Sequence, residues 1–419
     1  MGKKISHRSS FNNIVLCLCI IGFLFPVSKW MMLLISAALI TICIFMIKDA
    51  VTEKNFPLFF ISLFMSTYAY VPIVYLWGME NYIISTTLEA ESTSTVYMTA
   101  LCLLTFVTVF YRNIKTEVPI YMKEQEQYLC FKNDKGYWIV VFLSLICIVL
   151  GQSGETIFES GGYGQGNTES SSLYEYGIIF ISLGLIYAST KKRRRIVYVL
   201  CLFFIVKNLM YGGRVASLML ALSVFMIRFM NRFSFKAILG MCIVGYLFLQ
   251  FWGFYRGHTS ADGFQIEEDG NAAFVYYASM RIHYFIEEGI MSLNDRIWSF
   301  CCFVSAVLIP FSKLPDIANL SLYLQDEYYS GGGGLISTFI FCWLSVPGII
   351  IIAFFVGKAF DKFYYSNSIY KKYYALLLIV TVPRWFAYYP INIIKYCVYG
   401  MLAFYLINKF FAAKPKCIV

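Results

Sequence analysis

Apolar runs of roughly 16 to 23 residues recur along this chain, separated by short polar stretches in which lysine and arginine gather. Each run is long enough to cross a hydrocarbon core of about 30 Å as a helix, the shorter ones with local thinning or snorkelling of flanking side chains. The pattern predicts twelve helical spans, at about 14–27, 30–47, 57–77, 95–111, 136–150, 173–189, 196–211, 215–230, 237–254, 334–356, 374–390 and 392–408. One long polar interval breaks the rhythm, from Tyr255 to Gly333. Within it, Asp269 to Gly289 reads as an amphipathic helix, with Asp269 near its N-cap and Gly289 near its C-cap. Trp298 to Phe311 is apolar, but at about 14 residues it is too short to span and meets Pro310 near its end. It is expected as a re-entrant or interfacial helix.

Composition agrees with the pattern. The 419 residues are 59% hydrophobic and 14% charged, against about 25% charged in soluble domains, and no stretch large enough for a soluble domain is left over. The basic run Lys3, Lys4 and Arg8 ahead of an apolar segment has the look of a secretion signal. No small-residue cleavage pattern follows, so it is expected to stay as the first hairpin. Thirteen cysteines, most of them inside apolar runs and without a C-x-x-C pair, point away from a disulfide framework or a zinc site.

The net charge of +10 could suggest nucleic acid, but its distribution follows membrane topology instead. With the N-terminus in the cytoplasm, 25 of the 34 Lys and Arg fall in inner segments and 8 in outer ones, with Lys207 inside a span. The inner set includes Lys191-Lys192-Arg193-Arg194-Arg195, whereas the outer loops 78–94 and 151–172 hold no basic residue. The expected fold class is an all-α integral membrane protein of about 12 transmembrane helices with both termini inside. Residues 1–254 would hold the first nine spans, 255–333 a large outer loop region, and 334–419 the last three.

Against that background, outward arginines stand out. Tyr211-Gly212-Gly213-Arg214 is an outer hairpin tip whose guanidinium either snorkels to ordinary lipid phosphates or binds a phosphate ligand bidentately. Arg256 and His258 lie in Trp252-Gly253-Phe254-Tyr255-Arg256-Gly257-His258, which is either a span-end anchor or part of a site. On the Asp269–Gly289 helix, Tyr277, Arg281, Phe285 and Glu288 share one face, and His283 and Glu287 share another. These side chains form either a surface ion-pair set or an acid/base assembly. Arg296 follows in the same region. Asp326-Glu327-Tyr328-Tyr329 precedes Gly331-Gly332-Gly333-Gly334, which is either a flexible linker or a backbone that approaches a ligand closely. Arg384 lies within a span end, where a charge is costly, while Lys207 reads as a snorkelling lysine. No P-loop, H-E-x-x-H, G-x-S-x-G or dinucleotide fingerprint is present.

Taken together, the Gly212-Gly213-Arg214 tip, the large late outer loop and the Gly331–Gly334 run leading to Pro347-Gly348 resemble the Wzy-like O-antigen and capsular repeat-unit polymerases. Family members usually carry an aromatic or Asn-Phe-Gly version of the last motif, where this chain has Ser345-Val346-Pro347-Gly348. The resemblance implies glycosyl transfer between undecaprenyl-diphosphate-linked oligosaccharides on the outer face of a bacterial plasma (inner) membrane, with no cofactor and no metal. Partners implied are the lipid-linked oligosaccharide, membrane lipid, a chain-length regulator and a flippase, and no nucleic acid. On this reading Arg214, Arg256 and Arg281 stabilise the diphosphate leaving group, and Glu287, Glu288, His258 and His283 are the candidates for accepting the acceptor-hydroxyl proton. Arg296, Arg384, Asp326, Glu327, Gly332 and Gly333 bind substrate, and the outer region forms a diphosphate-binding lid. The alternatives are an O-antigen ligase-like transferase and a lipid-oligosaccharide flippase; charge-poor spans with arginines gathered on one side favour an outer-face enzyme over the flippase.

Overall fold

The computed structural model describes all residues except 1, 77–92, 120–121, 123–128, 152–171, 211–213, 231, 258–270, 310–312, 322, 324–332, 387–388 and 412–419. Every regular element among the described residues is helical. Five stretches are long and apolar enough to cross a membrane: Lys29–Glu53, Phe56–Leu76, Thr93–Asn113, Ile336–Tyr364 and Ile391–Phe411. Shorter apolar helices cover Arg8–Leu24, Leu173–Tyr187, Val215–Phe229 and Phe235–Gly245.

The chain divides into two compact units. The first comprises Met1–Glu117, Glu267–Lys362 and Arg384–Ile394. It holds α1 (Gly2–Leu24), α2 (Lys29–Glu53), α3 (Phe56–Ala69), α4 (Val71–Leu76) and α5 (Thr93–Asn113). Local sequence sets their ends. The Ser28 hydroxyl caps α2 by accepting from the Met31 N–H, and Asn55 caps α3 from the Leu58 N–H with Pro57 in the first turn. Gly22 lets α1 approach α5, where the Tyr97 hydroxyl donates to the Gly22 carbonyl at 2.8 Å; a Cβ on Gly22 would lie 2.9 Å from that hydroxyl. At the other end of α5, Arg8 stacks on the Tyr111 ring at 4.1 Å and donates to the carbonyls of Tyr111 and Ile114, while the Tyr111 hydroxyl donates to Asp49 at 2.6 Å.

Also in the first unit are α11 (Asn271–Glu287), α12 (Leu293–Ser305), a 3-10 turn at Asp316–Asn319 and most of α13 (Ile336–Tyr364). A core of Ile282, Phe285, Met291, Phe303, Phe339, Trp343 and Tyr389 joins them, and the Tyr389 hydroxyl donates to the Ala318 carbonyl at 2.8 Å. The short apolar segment expected near 298–311 is realised in α12, which starts earlier because Ser292 and Asp295 form a reciprocal capping box. Its helix ends at Ser305, and turns continue it to Ile309. Pro347-Gly348 lies inside α13. That helix bends at Ser345 (φ 56, ψ −160) and continues to Tyr364.

The second unit comprises Val118–Ile266, Phe363–Pro383 and Lys395–Val419. It contains α6 (Asp134–Leu150), α7 (Ser172–Tyr187), α8 (Lys191–Met210), α9 (Arg214–Val224, continued by a π-helical turn to Phe229), α10 (Phe235–Gly257) and α14 (Ile369–Val380). The remaining helices are α15 (Val382–Trp385) and α16 (Ile391–Phe411), both shared between the two units. The expected span 374–390 is therefore interrupted after Val380, and Pro383, which supplies no N–H, lies in the separate short helix α15. Asn408 binds this unit together, its Oδ1 accepting from Tyr187 at 3.1 Å and from Asn133 at 3.2 Å. The basic run is helical rather than a loop and forms the first turns of α8, with Arg193 paired to Asp134. Arg194 and the buried Arg228 donate to carbonyls at the C-terminal end of α7, groups that a helix end leaves unsatisfied.

Candidate functional site

Helix α11 carries the largest share of the expected site. Its residues from Val275 to His283 are buried without interruption, so it packs as a core helix rather than as the amphipathic surface helix that its spacing suggested. It lies against the start of α5, where the Tyr276 hydroxyl donates to the Val96 carbonyl at 2.9 Å. The expected face is present. Arg281 is 4% exposed, its Nη1 is 3.5 Å from the Tyr277 hydroxyl, and its guanidinium carbon lies 5.2 Å from the Phe285 ring centroid. Two aromatic rings one turn to either side thus hold a permanent cation with little conformational freedom.

The opposite face places His283 and Glu287 in different surroundings. His283 is 1% exposed, its ring lies 5.0 Å from Phe341, and Nε2 makes no hydrogen bond to the described residues. Burial, and secondarily the nearby Arg296 guanidinium, pushes its pKa down to about 3, so the ring is neutral at any physiological pH. Glu287 is exposed, and its Oε1 accepts from the Ser94 hydroxyl at 2.8 Å. Glu288 is exposed just beyond the helix, which stops because Gly289 adopts a left-handed φ of +69°. The two carboxylates are accessible, and the imidazole is enclosed.

Arg296, on the first turn of α12, meets the bend in α13. In an unbroken helix the N–H groups of Ser345 and Val346 would approach the carbonyls of Phe341 and Cys342, and Pro347 has no N–H to offer Trp343. Arg296 supplies donors at this break. Nε donates to the Cys342 carbonyl, and Nη2 to the Phe341 carbonyl and the Ser345 hydroxyl, both at 3.1 Å. The guanidinium is engaged by the protein's own backbone. The sequence signal for this was present in Pro347 within an apolar run, but not the identity of the side chain that would answer it.

Gly333, Gly334 and Leu335 are buried. The Gly333 N–H donates to Ser321 Oγ at 2.5 Å and the Leu335 N–H to Ser279 Oγ at 2.8 Å, with φ of 108° at Gly333 and 144° at Gly334. A Cβ on Gly334 would meet the Phe339 ring at 2.9 Å, so close approach here is to the protein itself. Asp326, Glu327, Gly332 and His258 lie outside the described residues, as does Asp269, the expected N-cap of α11.

In the second unit Arg214 opens α9 and Arg256 is the penultimate residue of α10; their side chains lie outside the described set. Arg384, in the first unit, is 5% exposed beside Trp385, whose ring meets Phe110 edge-on at 6.1 Å. Arg281, His283, Arg296 and the Gly333–Leu335 backbone thus come together around α11 and α13. Sequence reasoning passed over Ser279 and Ser321, whose hydroxyls hold the glycine-rich backbone; nothing in their spacing marks them.

No curated protein and no solved structure matches the chain. Residues 10–292, more than half of it, match the family described as O-antigen polysaccharide polymerase Wzy, and the chain belongs to that family. The matched range takes in Arg214, Arg256, His258, Arg281, His283, Glu287 and Glu288, and ends before Arg296, the glycine run and Arg384.

Proposed function

We propose that this member of the O-antigen polymerase family, a membrane protein acting on lipid-linked oligosaccharide repeat units, joins undecaprenyl-diphosphate-linked units by glycosyl transfer at the outer face of the plasma membrane. The reading is carried by one observation: the family match includes Arg281, a cation held between Tyr277 and Phe285 on a buried helix. The bond between the donor's anomeric carbon and the diphosphate oxygen breaks, and its electron pair leaves with the lipid diphosphate. The acceptor hydroxyl oxygen forms the new glycosidic bond. Negative charge grows on the departing oxygen, where a guanidinium fixed before the reaction is most effective. Arg281, with Arg214 and Arg256, has that role.

The acceptor proton goes to a carboxylate. Glu287 and Glu288 are exposed and close the same helix, whereas His283, with its pKa near 3, has little affinity for a proton. His283 Nε2 remains able to hydrogen-bond a neutral group. The lipid diphosphate activates the donor sugar, so no nucleotide sugar or metal enters the scheme.

Replacing Arg214, Arg256 or Arg281 by Ala in the native host and resolving the surface glycan by size tests the assignment. Each variant is expected to shorten or abolish the polymer, with single repeat units accumulating on lipid. Full-length polymer from all three, at normal protein level, would overturn it. Units that accumulate facing the cytoplasm would indicate a flippase instead.

A further inference from the structure

Helix α12 has two unlike faces. On one, Ser299, Cys302, Phe303 and Ala306 are buried. On the other, Leu293, Ile297, Cys301, Val304 and Leu308 are exposed, and their spacings of three or four residues align them in one stripe along the helix and the turns that continue it. Trp298 and Ile309, also exposed, flank the stripe. Leu308 is 81% exposed and Leu293 63%, and no charged residue lies between Ile297 and Ile309.

The way α12 meets α13 sets its direction. Along about 10 Å of α12, from Arg296 to Phe303, its partners on α13 do not advance. Arg296 reaches the Phe341 and Cys342 carbonyls and the Ser345 hydroxyl, and the Ser299 hydroxyl accepts from Trp343 Nε1 at 3.2 Å. The ring centroids of Phe300 and Phe303 lie 5.8 and 4.3 Å from that of the same Trp343. Helices packed side by side would meet successive turns of each other over that distance. Helix α12 therefore crosses α13 steeply, and α13 is long and apolar enough to cross a membrane. A helix that crosses a spanning helix steeply lies near the bilayer plane.

The ends of the stripe agree with that direction. Glu287, Glu288 and Ser292 are exposed before it, and Lys313 and Asp316 after it. A re-entrant helix would hold one of its ends deep in hydrocarbon, where an exposed charge is costly. Here both ends carry exposed polar groups and only the stretch between them is apolar. Leu344, Ile350 and Ile351 on α13 are exposed apolar residues as well, so α12 adjoins a surface that a spanning helix presents to acyl chains.

We infer that α12 is an in-plane membrane anchor whose stripe lies among the acyl chains of the leaflet at the N-terminal end of α13. The partner of this face is bilayer lipid. On the topology that the charge bias implies, the leaflet is the outer one. The anchor holds Glu287 and Glu288 at headgroup depth, and its inward side ties the bend in α13 to the membrane surface through Arg296. None of this rests on the polymerase reading.

Trp298 tests the placement. The full-length chain is reconstituted into nanodiscs of phosphatidylcholine whose acyl chains carry bromine, a quencher of indole emission, either near the glycerol or near the chain end. The emission of the parent less that of Trp298→Phe isolates this indole. That difference should be quenched at least several-fold more strongly by the shallow bromines than by the deep ones. Stronger quenching by the deep bromines would overturn the in-plane placement. Quenching by neither would overturn lipid as the partner and leave the face to water, a second copy of the chain or another protein. If Trp298→Phe does not fold, the exposed Cys301 thiol of the parent answers the same question. A charged, water-soluble maleimide should modify Cys301 in the discs at least several-fold more slowly than it modifies Asp316→Cys, with the sites resolved by peptide mass spectrometry. Equal rates at the two sites would overturn the inference.

Discussion

Arg296→Met isolates the bend in α13. The methionine keeps an unbranched stem against Phe341 and Cys342 but removes the donors that serve their carbonyls and the Ser345 hydroxyl. A buried carbonyl left without a donor costs about 1–3 kcal/mol. Two are released here at a partly buried site, so the expected loss is roughly 2–4 kcal/mol, less where water reaches the break. Arg296→Lys, a single point donor in place of a fork, should recover only part of it. The measurement is the unfolding midpoint of the purified protein in mild detergent, compared with Arg112→Met, which removes an exposed arginine near the end of α5. If Arg296→Met unfolds within about 0.5 kcal/mol of both the parent and Arg112→Met, the guanidinium does not hold the bend and the reasoning fails.

Two further outcomes follow from the same unit. His283 is held neutral in the fold, so above about pH 6.5 neither the folded nor the unfolded chain protonates it, and its contribution to stability is complete. Between pH 6.5 and about 3 the unfolded chain binds a proton that the folded one refuses, so stability falls with falling pH. His283→Gln should flatten that part of the pH–stability curve, and an unchanged slope would show that the ring is not enclosed. Gly334→Ala combines a positive φ with a Cβ 2.9 Å from the Phe339 ring and should cost about 1–3 kcal/mol, read as a lower unfolding midpoint; a neutral substitution would refute the close packing assigned to this glycine.

The sequence made the helical class legible because apolar run length is a local quantity, fixed by the thickness of the bilayer. It also placed Arg281 correctly between Tyr277 and Phe285, since residues four apart on a helix must share a face. What the periodicity of Asp269–Gly289 could not convey is that neighbours from α5 and α13 cover its polar-looking side. His283 and Tyr276 look solvent-facing until those neighbours are present. The fates of Arg296 and Pro347 were hidden for a similar reason. A proline announces that a carbonyl loses its donor, but which distant side chain replaces it depends on tertiary packing. The burial of Lys207 was not legible either, because burial of an individual side chain is invisible in a one-dimensional charge pattern.

Ser279 grips the Leu335 N–H at the entry to α13, and Glu287 grips Ser94 at the start of α5. Helix α11 is therefore moored at its middle and at its end, and behaves as a strut rather than a hinged flap. On the function proposed above, a donor lipid that reaches Arg281 would meet a cation already in its working position. The advantage on that proposal would lie in rigidity: little reorganisation would be needed at the moment when charge develops on the departing diphosphate.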